Sequence, residues 1–562
     1  MVRRILCLFF AGVLALTFVV SADAQKKGMA SITAKELKVH LDFIGSEIFQ
    51  GRNTPSRELD ITCGYVENLV KLYGLKPILP DGSYYQTIPL IMSKLSETGT
   101  QLTVVTDKGN YTFNYPGAFG FTTRPGEGVY GGSVVFVGLG VSADSLGWDD
   151  YGDVNLRGKV VVMLEGTLPR DHILSQSQNA RRFLQNKATV ARGKGASAVL
   201  TVISEERENT FVTNGTLFEN PETTQWVIVN ETERPVPRTP APVTAPVPAA
   251  RDTSRTARPP ATPTAPFLQA EIRNETALAI LGISKDELKN LFSTLSTGQQ
   301  VPRKDLTDRI VSVTVKLQKR NAQTENVVAC VGGSDPVLKN EYIIIGCHTD
   351  HLGVSRGRVM CGADDNGSGT VAMLEIAQAL MIEHPKRTVI LAWFTGEEKG
   401  LKGSHFMANN SPVPIEKVST MLNMDMISRN NTDSLYLIAS NLLSTELDKA
   451  INDMNKKYTI GLGFDYRYNN TTDRNRFYFR SDQLPYTLFG VPSVWFFCGT
   501  TPDYHTPGDT IDKVDYKKME KVTRLVYLTA VEVGNKKELL KLDANPQVTT
   551  RGSQNIAVMP RR

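Results

Sequence analysis

The chain has few cysteines, little net charge and no long apolar run beyond its N-terminal segment. Only 6 cysteines among 562 residues exclude a disulfide-dense scaffold. Lysine and arginine total 63 against 58 acidic residues, a net charge of +5, and no basic block dominates. That balance gives no electrostatic support for a nucleic-acid partner. Because no later run approaches about 20 apolar residues, we expect no stable membrane span in the mature chain.

The chain does have length and an ordinary globular composition. Apolar residues make up 41% of the sequence, which is enough for a large core and excludes the disordered and fibrous classes. A length of 562 residues exceeds one ordinary domain of about 100–200 residues. We therefore expect a globular protein of two or more domains.

The N-terminal segment is typical of a secretory signal peptide. A basic pair at positions 3 and 4 precedes the apolar residues 5–20, and an Ala-Asp-Ala motif follows at 22–24. An uncleaved anchor helix is the alternative, but the apolar run is short for a membrane span. We expect residues 1–24 to be removed as a signal peptide. The mature protein would then be exported: periplasmic, secreted or associated with the cell surface.

Two segments lack the apolar periodicity of packed structure. Residues 235–266 contain ten of the chain's 29 prolines, together with alanine, threonine and arginine. This composition cannot bury enough surface to offset the entropy of ordering, which predicts a disordered loop. The lack of apolar periodicity in residues 541–562 predicts a flexible tail.

The region before the proline-rich loop is rich in short apolar runs. Residues 133–138, 159–164 and 196–203 have β-type patterns, and residues 181–195 have a helix-like pattern. The series DYGDVNLRGKVVVML, helix, GASAVLTVI resembles a protease-associated (PA) domain, a β-rich module inserted into several exopeptidases. The resemblance implies a PA-like insertion over 119–300.

Strands and helices alternate in the C-terminal half. Apolar strands are predicted at 342–346, 388–394, 420–426 and 493–497, with a helix at 370–383 after the first of them. Near-continuous apolar strands that alternate with helices indicate an α/β fold whose sheet is buried on both faces.

Each of these four strands is followed by a side chain that can bind a metal ion. In chain order these are His348, the pair Glu397 and Glu398, Asp425, and His505. The segment GADDNGSG at 362–369 lies between the first strand and the second. Because ligands of α/β proteins gather at the carboxyl ends of the strands, we expect these groups to share one crevice.

The donor types indicate the chemistry of that crevice. Two imidazoles with several carboxylates, and no required cysteine, suit Zn²⁺ or a similar divalent ion. The set is large enough for two ions that share a bridging carboxylate and activate water for hydrolysis. In the Glu397-Glu398 pair, one carboxylate can coordinate while its neighbour accepts a proton from that water.

The complete motif series resembles peptidase family M28, a family of zinc exopeptidases. The series is His348-Thr349-Asp350, Asp365-Asn366-Gly367-Ser368-Gly369, Glu397-Glu398, Asn423-Met424-Asp425 and Tyr504-His505-Thr506-Pro507. The resemblance implies the zinc-exopeptidase fold, a mixed, mostly parallel central sheet flanked by helices. The peptidase domain would be formed by 25–118 and 301–540, with the PA domain inserted between them.

The resemblance also implies a role for each motif residue. The first zinc ion would be held by His348, Asp365 and Asp425, and the second by Asp365, Glu398 and His505, so that Asp365 bridges the two. Glu397 would be the general base, Asp350 would orient His348, and Tyr504 would stabilise the oxyanion.

Some neighbouring residues have other interpretations. Asp364 competes with Asp365 for the bridge, but the family places the ligand directly before Asn-Gly-Ser-Gly. His351 completes an H-x-x-H pattern, and we interpret it as structural or as part of the rim. Gln483 stands where many relatives carry histidine, which predicts an altered pocket or supporting contact. Arg480 lies just before it, on what we interpret as a solvated basic face.

Together these features predict a dinuclear zinc aminopeptidase that acts on peptides with a free N-terminus. A carboxypeptidase of the same fold and a single-zinc enzyme resembling glutaminyl cyclase are alternatives, and the complete two-metal ligand set disfavours the second. A non-catalytic, receptor-like binding protein is more distant, since receptor-like relatives lose ligands.

Overall fold

The structure covers most of the chain. This computed structural model describes residues 25–166, 168–176, 178–214, 224–228, 267–355, 357–469 and 473–543. The predicted signal peptide, the proline-rich loop and all but the first three residues of the predicted tail lie outside these residues. Within the described part, no helix is both long and apolar enough to cross a membrane.

Strands and α-helices are numbered here in chain order. The strands are β1 (Tyr85–Leu95), β2 (Gln101–Thr106), β3 (Gly109–Asn114), β4 (Phe119–Phe121), β5 (Gly128–Phe136), β6 (Ser142–Ala143), β7 (Trp148–Asp149), β8 (Val160–Leu164), β9 (Ala198–Val202), β10 (Thr224–Ile228), β11 (Leu268–Ile272), β12 (Lys304–Val315), β13 (Leu317–Val331), β14 (Tyr342–His348), β15 (Gly353–Ser355), β16 (Arg358–Met360), β17 (Thr388–Phe394), β18 (Val418–Met424), β19 (Ser434–Ile438), β20 (Gly463–Asp465) and β21 (Ser493–Phe497). The helices are α1 (Ala34–Ile44), α2 (Arg57–Tyr73), α3 (Gln178–Gln185), α4 (Lys187–Gly193), α5 (Glu205–Asn214), α6 (Asn274–Leu281), α7 (Lys285–Ser296), α8 (Gly369–Ile382), α9 (Lys402–Asn409), α10 (Ser440–Leu443), α11 (Thr445–Lys457), α12 (Gln483–Leu488) and α13 (Tyr516–Asn535).

The chain divides into two compact units. Of the described residues, the first unit contains those within Met1–Ile91, Trp226–Val243 and Asn321–Arg562, and the second contains those within Met92–Gln225 and Thr244–Arg320. The sequence placed the limits of an insertion at 119 and 300. In the structure β2 and β12 pair with each other within the second unit. Because β2 precedes residue 119 and β12 follows residue 300, this unit extends beyond both limits.

A nine-stranded sheet forms the centre of the first unit. Its strand order is β10-β1-β13-β17-β14-β18-β21-β19-β20. Strand β14 runs parallel to β17 and to β18, and β18 runs parallel to β21. The pairs β13–β17 and β19–β21 are antiparallel. Every residue of β17 and β18 is buried, as expected for apolar strands covered on both faces. The predicted mixed α/β fold is therefore confirmed.

Helices cover the sheet of the first unit. Helix α8 is buried along most of its length and packs against α1, α2 and α13. Ser56 caps the start of α2 by accepting a hydrogen bond from the Leu59 N–H, and Gly74 ends this helix in a left-handed conformation. The apolar faces of these helices and the central strands share one large core.

The second unit is built on an eight-stranded sheet in the order β3-β2-β12-β5-β8-β9-β11-β4. Strand β8 is parallel to β5 and β9, whereas β12 is antiparallel to β2 and β5. The valine-rich β8 is buried at every position. The strands predicted at 133–138, 159–164 and 196–203 are thus present as β5, β8 and β9. The assignment of this region to a PA domain stays a prediction.

Candidate metal centre

The predicted ligands lie at one edge of the central sheet. His348 is the last residue of β14, Asp425 directly follows β18, and Glu398 follows β17 by four residues. His505 lies on the loop after β21. Because these four neighbouring strands run parallel, their carboxyl ends meet and bring the side chains together.

Asp365 lies between two groups of side chains. Its Oδ1 is 3.4 Å from Nε2 of His348, and that same Nε2 is 3.3 Å from Oδ1 of Asp425. Its Oδ2 is 3.2 Å from Nε2 of His505, which is 3.3 Å from Oε2 of Glu398. The two oxygens of one carboxylate therefore face two different histidines.

These spacings fit metal ligands. Two donor atoms bound about 2.1 Å from one tetrahedral ion lie about 3.4 Å apart. Buried polar atoms normally have hydrogen-bond partners, yet Nε2 of His348, Oδ1 of Asp425 and Nε2 of His505 have none in the described structure. Imidazole and carboxylate donors suit Zn²⁺. The residues present therefore fit divalent cations on both sides of Asp365.

The tautomer of His348 leaves its Nε2 available. Nδ1 of His348 lies 3.0 Å from the carbonyl oxygen of Asp350. A carbonyl can only accept, so Nδ1 carries the proton and Nε2 keeps its lone pair. The sequence had assigned this orienting role to the Asp350 carboxylate. Its Oδ1 is instead 3.7 Å from Nδ1 of His348 and accepts the N–H of Glu397 at 3.1 Å.

His351 lies inside the site, although the sequence placed it in a structural position or on the rim. It is fully buried, and its Nδ1 donates to Oε1 of Glu398 over 2.8 Å. The same Nδ1 is 3.7 Å from Oδ2 of Asp365. The 2.8 Å separation is a hydrogen-bond distance. His351 therefore orients Glu398, and the H-x-x-H pattern was the signal for it.

The two adjacent glutamates differ in electrostatic environment. Removal from water, reinforced by Glu398 and Asp425, raises the pKa of Glu397 well above its usual value. Burial would also raise the pKa of Glu398, but the hydrogen bond from His351 and the nearby imidazole of His505 hold it well below its usual range. Glu397 thus has the stronger affinity for a proton, whereas Glu398 is held as a carboxylate.

A network of hydrogen bonds among buried polar residues supports the side chain of Asp425. Oγ of Ser481 donates to Oδ2 of Asp425 over 2.6 Å and accepts from Nδ2 of Asn423 over 2.7 Å. Gln483 is buried, accepts from Asn423 at 3.3 Å and donates to the carbonyl of Tyr478 at 3.1 Å. Gln483 therefore belongs to the hydrogen-bond network behind Asp425, and the effect of the departure stays a prediction.

Asp509 fixes the backbone of the Asp364–Asp365 turn, and no sequence signal marked it. Its carboxylate accepts the N–H groups of both residues, each over about 3.0 Å. The side chain of Asp364 turns away to accept from the N–H and the hydroxyl of Ser428. Asp365 is therefore the member of the pair that faces the histidines, as predicted.

Arg52 ties the ligand-bearing loops together and was also missed. It is fully buried and donates to the carbonyl oxygens of Ile44 and Gly362 over 2.8 Å and of Thr349 and Cys361 over 2.9 Å. Thr349 follows His348, and Gly362 leads to the Asp365 turn. One guanidinium thus bridges the segments that carry these two side chains.

A small cavity, open to solvent, lies over the candidate ligands. Besides Asp365, Glu397 and Asp425, its lining consists of Met426, Phe477, Arg480, Trp495, Phe497, Thr500 and Tyr504. The ring of Tyr504 stacks on His505 at 3.8 Å between centroids. The cavity therefore combines an apolar, aromatic wall with the carboxylates of the metal centre.

Comparison with known proteins agrees with this geometry. The sequence model of peptidase family M28 matches residues 326–530. The match covers a little over a third of the chain, and this segment is similar to peptidase family M28. The M28 segment contains all five predicted ligands, His351 and Glu397, whereas Arg52 lies outside it.

Curated relatives are leucine aminopeptidases of fungi. A probable leucine aminopeptidase 2 of Trichophyton verrucosum is 27% identical over 298 residues, 47% of this chain and 56% of the relative. A probable leucine aminopeptidase of Arthroderma otae is 30% identical over 209 residues, 35% of this chain and 56% of the relative. The chain thus spans about half the length of the curated relatives it matches.

A solved structure of another protein shows the same fold. The aminopeptidase from Aneurinibacillus sp. strain AM-1 matches with a TM-score of 0.51 at 18% sequence identity. The match covers 92% of this chain and 97% of that one.

Proposed function

We propose that the protein is a dinuclear zinc aminopeptidase. The observation that carries the proposal is the position of Asp365, whose two carboxylate oxygens face His348 on one side and His505 on the other. His348, Asp365 and Asp425 hold one zinc ion, and Asp365, Glu398 and His505 hold the second. The names of the fungal relatives support the amino-terminal reaction.

Activation of the water and transfer of its proton are assigned to different groups. Bound zinc ions supply a water of lowered pKa and polarise the scissile carbonyl. Glu397, whose carboxylate lies within 4.8 Å of ligand atoms of His348 and Asp425, accepts a proton from the attacking water. It then gives that proton to the leaving amine. Its raised pKa suits a group that takes up a proton and returns it.

Tyr504 stabilises the charge that develops on the substrate oxygen. Its hydroxyl accepts a hydrogen bond from Nη2 of Arg480 at 3.0 Å, which leaves its own proton free to be donated. Asp350 contributes through its backbone carbonyl, which orients His348, and through its carboxylate, which holds the Glu397 N–H.

The cavity wall supports a preference for an apolar N-terminal residue. Phe477, Trp495, Phe497 and Met426 provide apolar surface for such a side chain. Peptides with a free N-terminus are therefore the proposed substrates. The presence of metal-ligand donors on both sides of Asp365 favours this function over a single-zinc cyclase. The complete set of proposed ligands disfavours a non-catalytic receptor.

The proposal extends to the remaining parts of the chain. The signal-like segment 1–24 supports export to the periplasm, the cell surface or the medium. The β-rich second unit, with its parallel β5, β8 and β9, supports a PA-like domain inserted into the peptidase sequence.

Metal content and turnover of leucyl anilide, measured on the same samples, test the proposal. We expect two zinc ions per chain, activity lost on chelation, and activity restored by zinc. Glu397→Gln should keep both ions and lose turnover by about 10²–10⁴-fold, whereas the exposed control Glu416→Gln should resemble wild type. One ion per chain, or normal turnover in Glu397→Gln, would contradict the proposal.

A further inference from the structure

The cavity over the metal centre carries one cationic side chain at its apolar wall. Arg480 lines the cavity together with Phe477 and Tyr504. Its Cζ lies 5.3 Å from the ring centroid of Phe477 and 5.9 Å from that of Tyr504. The guanidinium is thus held beside two aromatic rings, in addition to its hydrogen bond to the Tyr504 hydroxyl.

The charge of Arg480 is not neutralised by a carboxylate. Arg480 is exposed, and none of the described residues places a carboxylate oxygen within 4.0 Å of its guanidinium. A phenol hydroxyl accepts a hydrogen bond but carries no compensating charge. Because Arg480 is exposed, solvent screens this charge in part, and its effect on a nearby charge is moderate.

A substrate side chain in this cavity therefore meets apolar surface and a positive charge. An uncharged aliphatic chain gains from contact with the Phe477, Trp495 and Phe497 rings. A lysine or arginine side chain of similar length would carry a second positive charge toward Arg480. Like charges placed close together repel even when solvent screens them in part, which is a means of rejecting substrates.

We propose that Arg480 is a specificity-determining residue that rejects substrates with an N-terminal lysine or arginine. The cavity then selects for an uncharged, apolar N-terminal residue by two devices, an aromatic wall that attracts and a guanidinium that repels. This inference rests on the proposed aminopeptidase activity and specifies its substrate class.

Paired substrates isolate the effect of charge. Norleucine and lysine have side chains with the same four-carbon stem, and only lysine ends in an ammonium group. We would measure kcat/KM for norleucyl and lysyl anilides and compare their ratio among variants. Because both substrates share the reacting bond, a general loss of activity cancels in the ratio.

The variants separate charge from position. Arg480→Gln should improve the lysyl-to-norleucyl ratio about tenfold, as expected for two charges about 6 Å apart at intermediate dielectric. Arg480→Lys should stay near the wild-type ratio because it keeps the charge. Arg474→Gln removes an exposed arginine that does not line the cavity and should leave the ratio unchanged.

Two outcomes would overturn the inference. An unchanged ratio in Arg480→Gln would show that its charge does not reach the substrate side chain. Poorer turnover of glutamyl anilide in Arg480→Gln, with no gain for lysyl anilide, would show that Arg480 attracts acidic residues instead. Failure of the wild type to release any N-terminal residue would contradict the proposed function itself, and so is distinguishable from both.

Discussion

Arg52 should be a main source of stability in the metal-binding unit, although it touches none of the proposed ligands. The change to test is Arg52→Met, which keeps a long apolar chain and removes the five N–H donors. Four buried carbonyl oxygens, of Ile44, Thr349, Cys361 and Gly362, would then lose the partner they have now.

The magnitude follows from two opposing contributions. Hydrogen bonds to a charged group contribute about 1.5–3 kcal/mol each, so four bonds contribute roughly 6–12 kcal/mol. Burying the guanidinium costs several kcal/mol, because the charged form is removed from water; this burial also lowers the pKa of Arg52. We expect a net loss of about 3–5 kcal/mol in the free energy of unfolding.

Urea unfolding with and without zinc measures this loss. Arg52→Met should unfold at much lower urea, and its zinc affinity should fall because the Thr349 and Gly362 carbonyls no longer hold the ligand loops. Arg52→Lys keeps the charge with fewer donors and should be intermediate. The exposed control Arg57→Met should stay within about 0.5 kcal/mol of wild type. A loss below about 1 kcal/mol for Arg52→Met would refute the bridging role.

Three further variants test the surroundings of the site. Burial raises the pKa of Asp482 to about 7, above its unfolded value near 3.9, so stability should fall as pH rises from about 4 to 7. Asp482→Asn should flatten that dependence in urea midpoints, and an unchanged slope would contradict it. Ser481→Ala removes the 2.6 Å bond to Asp425 and should weaken zinc binding about tenfold in chelator competition. Arg429→Gln removes one of the two cations that hold Asp503, two residues before the proposed ligand on that loop, and should weaken zinc binding to a smaller extent because Lys513 still pairs with Asp503. Full zinc affinity in either variant would count against these supports.

The positions of the ligands could be predicted because they follow from local patterns. Each apolar strand is recognisable by itself, and the parallel arrangement of strands places whatever follows them at one edge. The predicted ends of their strands were sufficient to place the side chains of His348 and Asp425 at this edge. The choice of Asp365 over Asp364 came instead from the resemblance to the M28 motif, and its role as the bridging ligand stays a proposal.

The supporting residues could not be predicted because their contacts are remote in sequence. Arg52 bonds to Thr349, 297 positions away, and Asp509 bonds to Asp365, 144 positions away. No periodicity or spacing encodes such pairs. The contact between His351 and Glu398 was missed for a related reason, since the backbone N–H of His351 donates to the carbonyl oxygen of Arg52, a residue remote in sequence.

The decisive measurement is mass spectrometry of a matched peptide pair, one with a free leucine at its N-terminus and one acetylated there. The zinc-loaded protein should shorten the free peptide by its N-terminal residue and leave the acetylated peptide intact, and a chelator should abolish the cleavage. Release of residues from the acetylated peptide, or cleavage that persists after zinc removal, would contradict a zinc aminopeptidase.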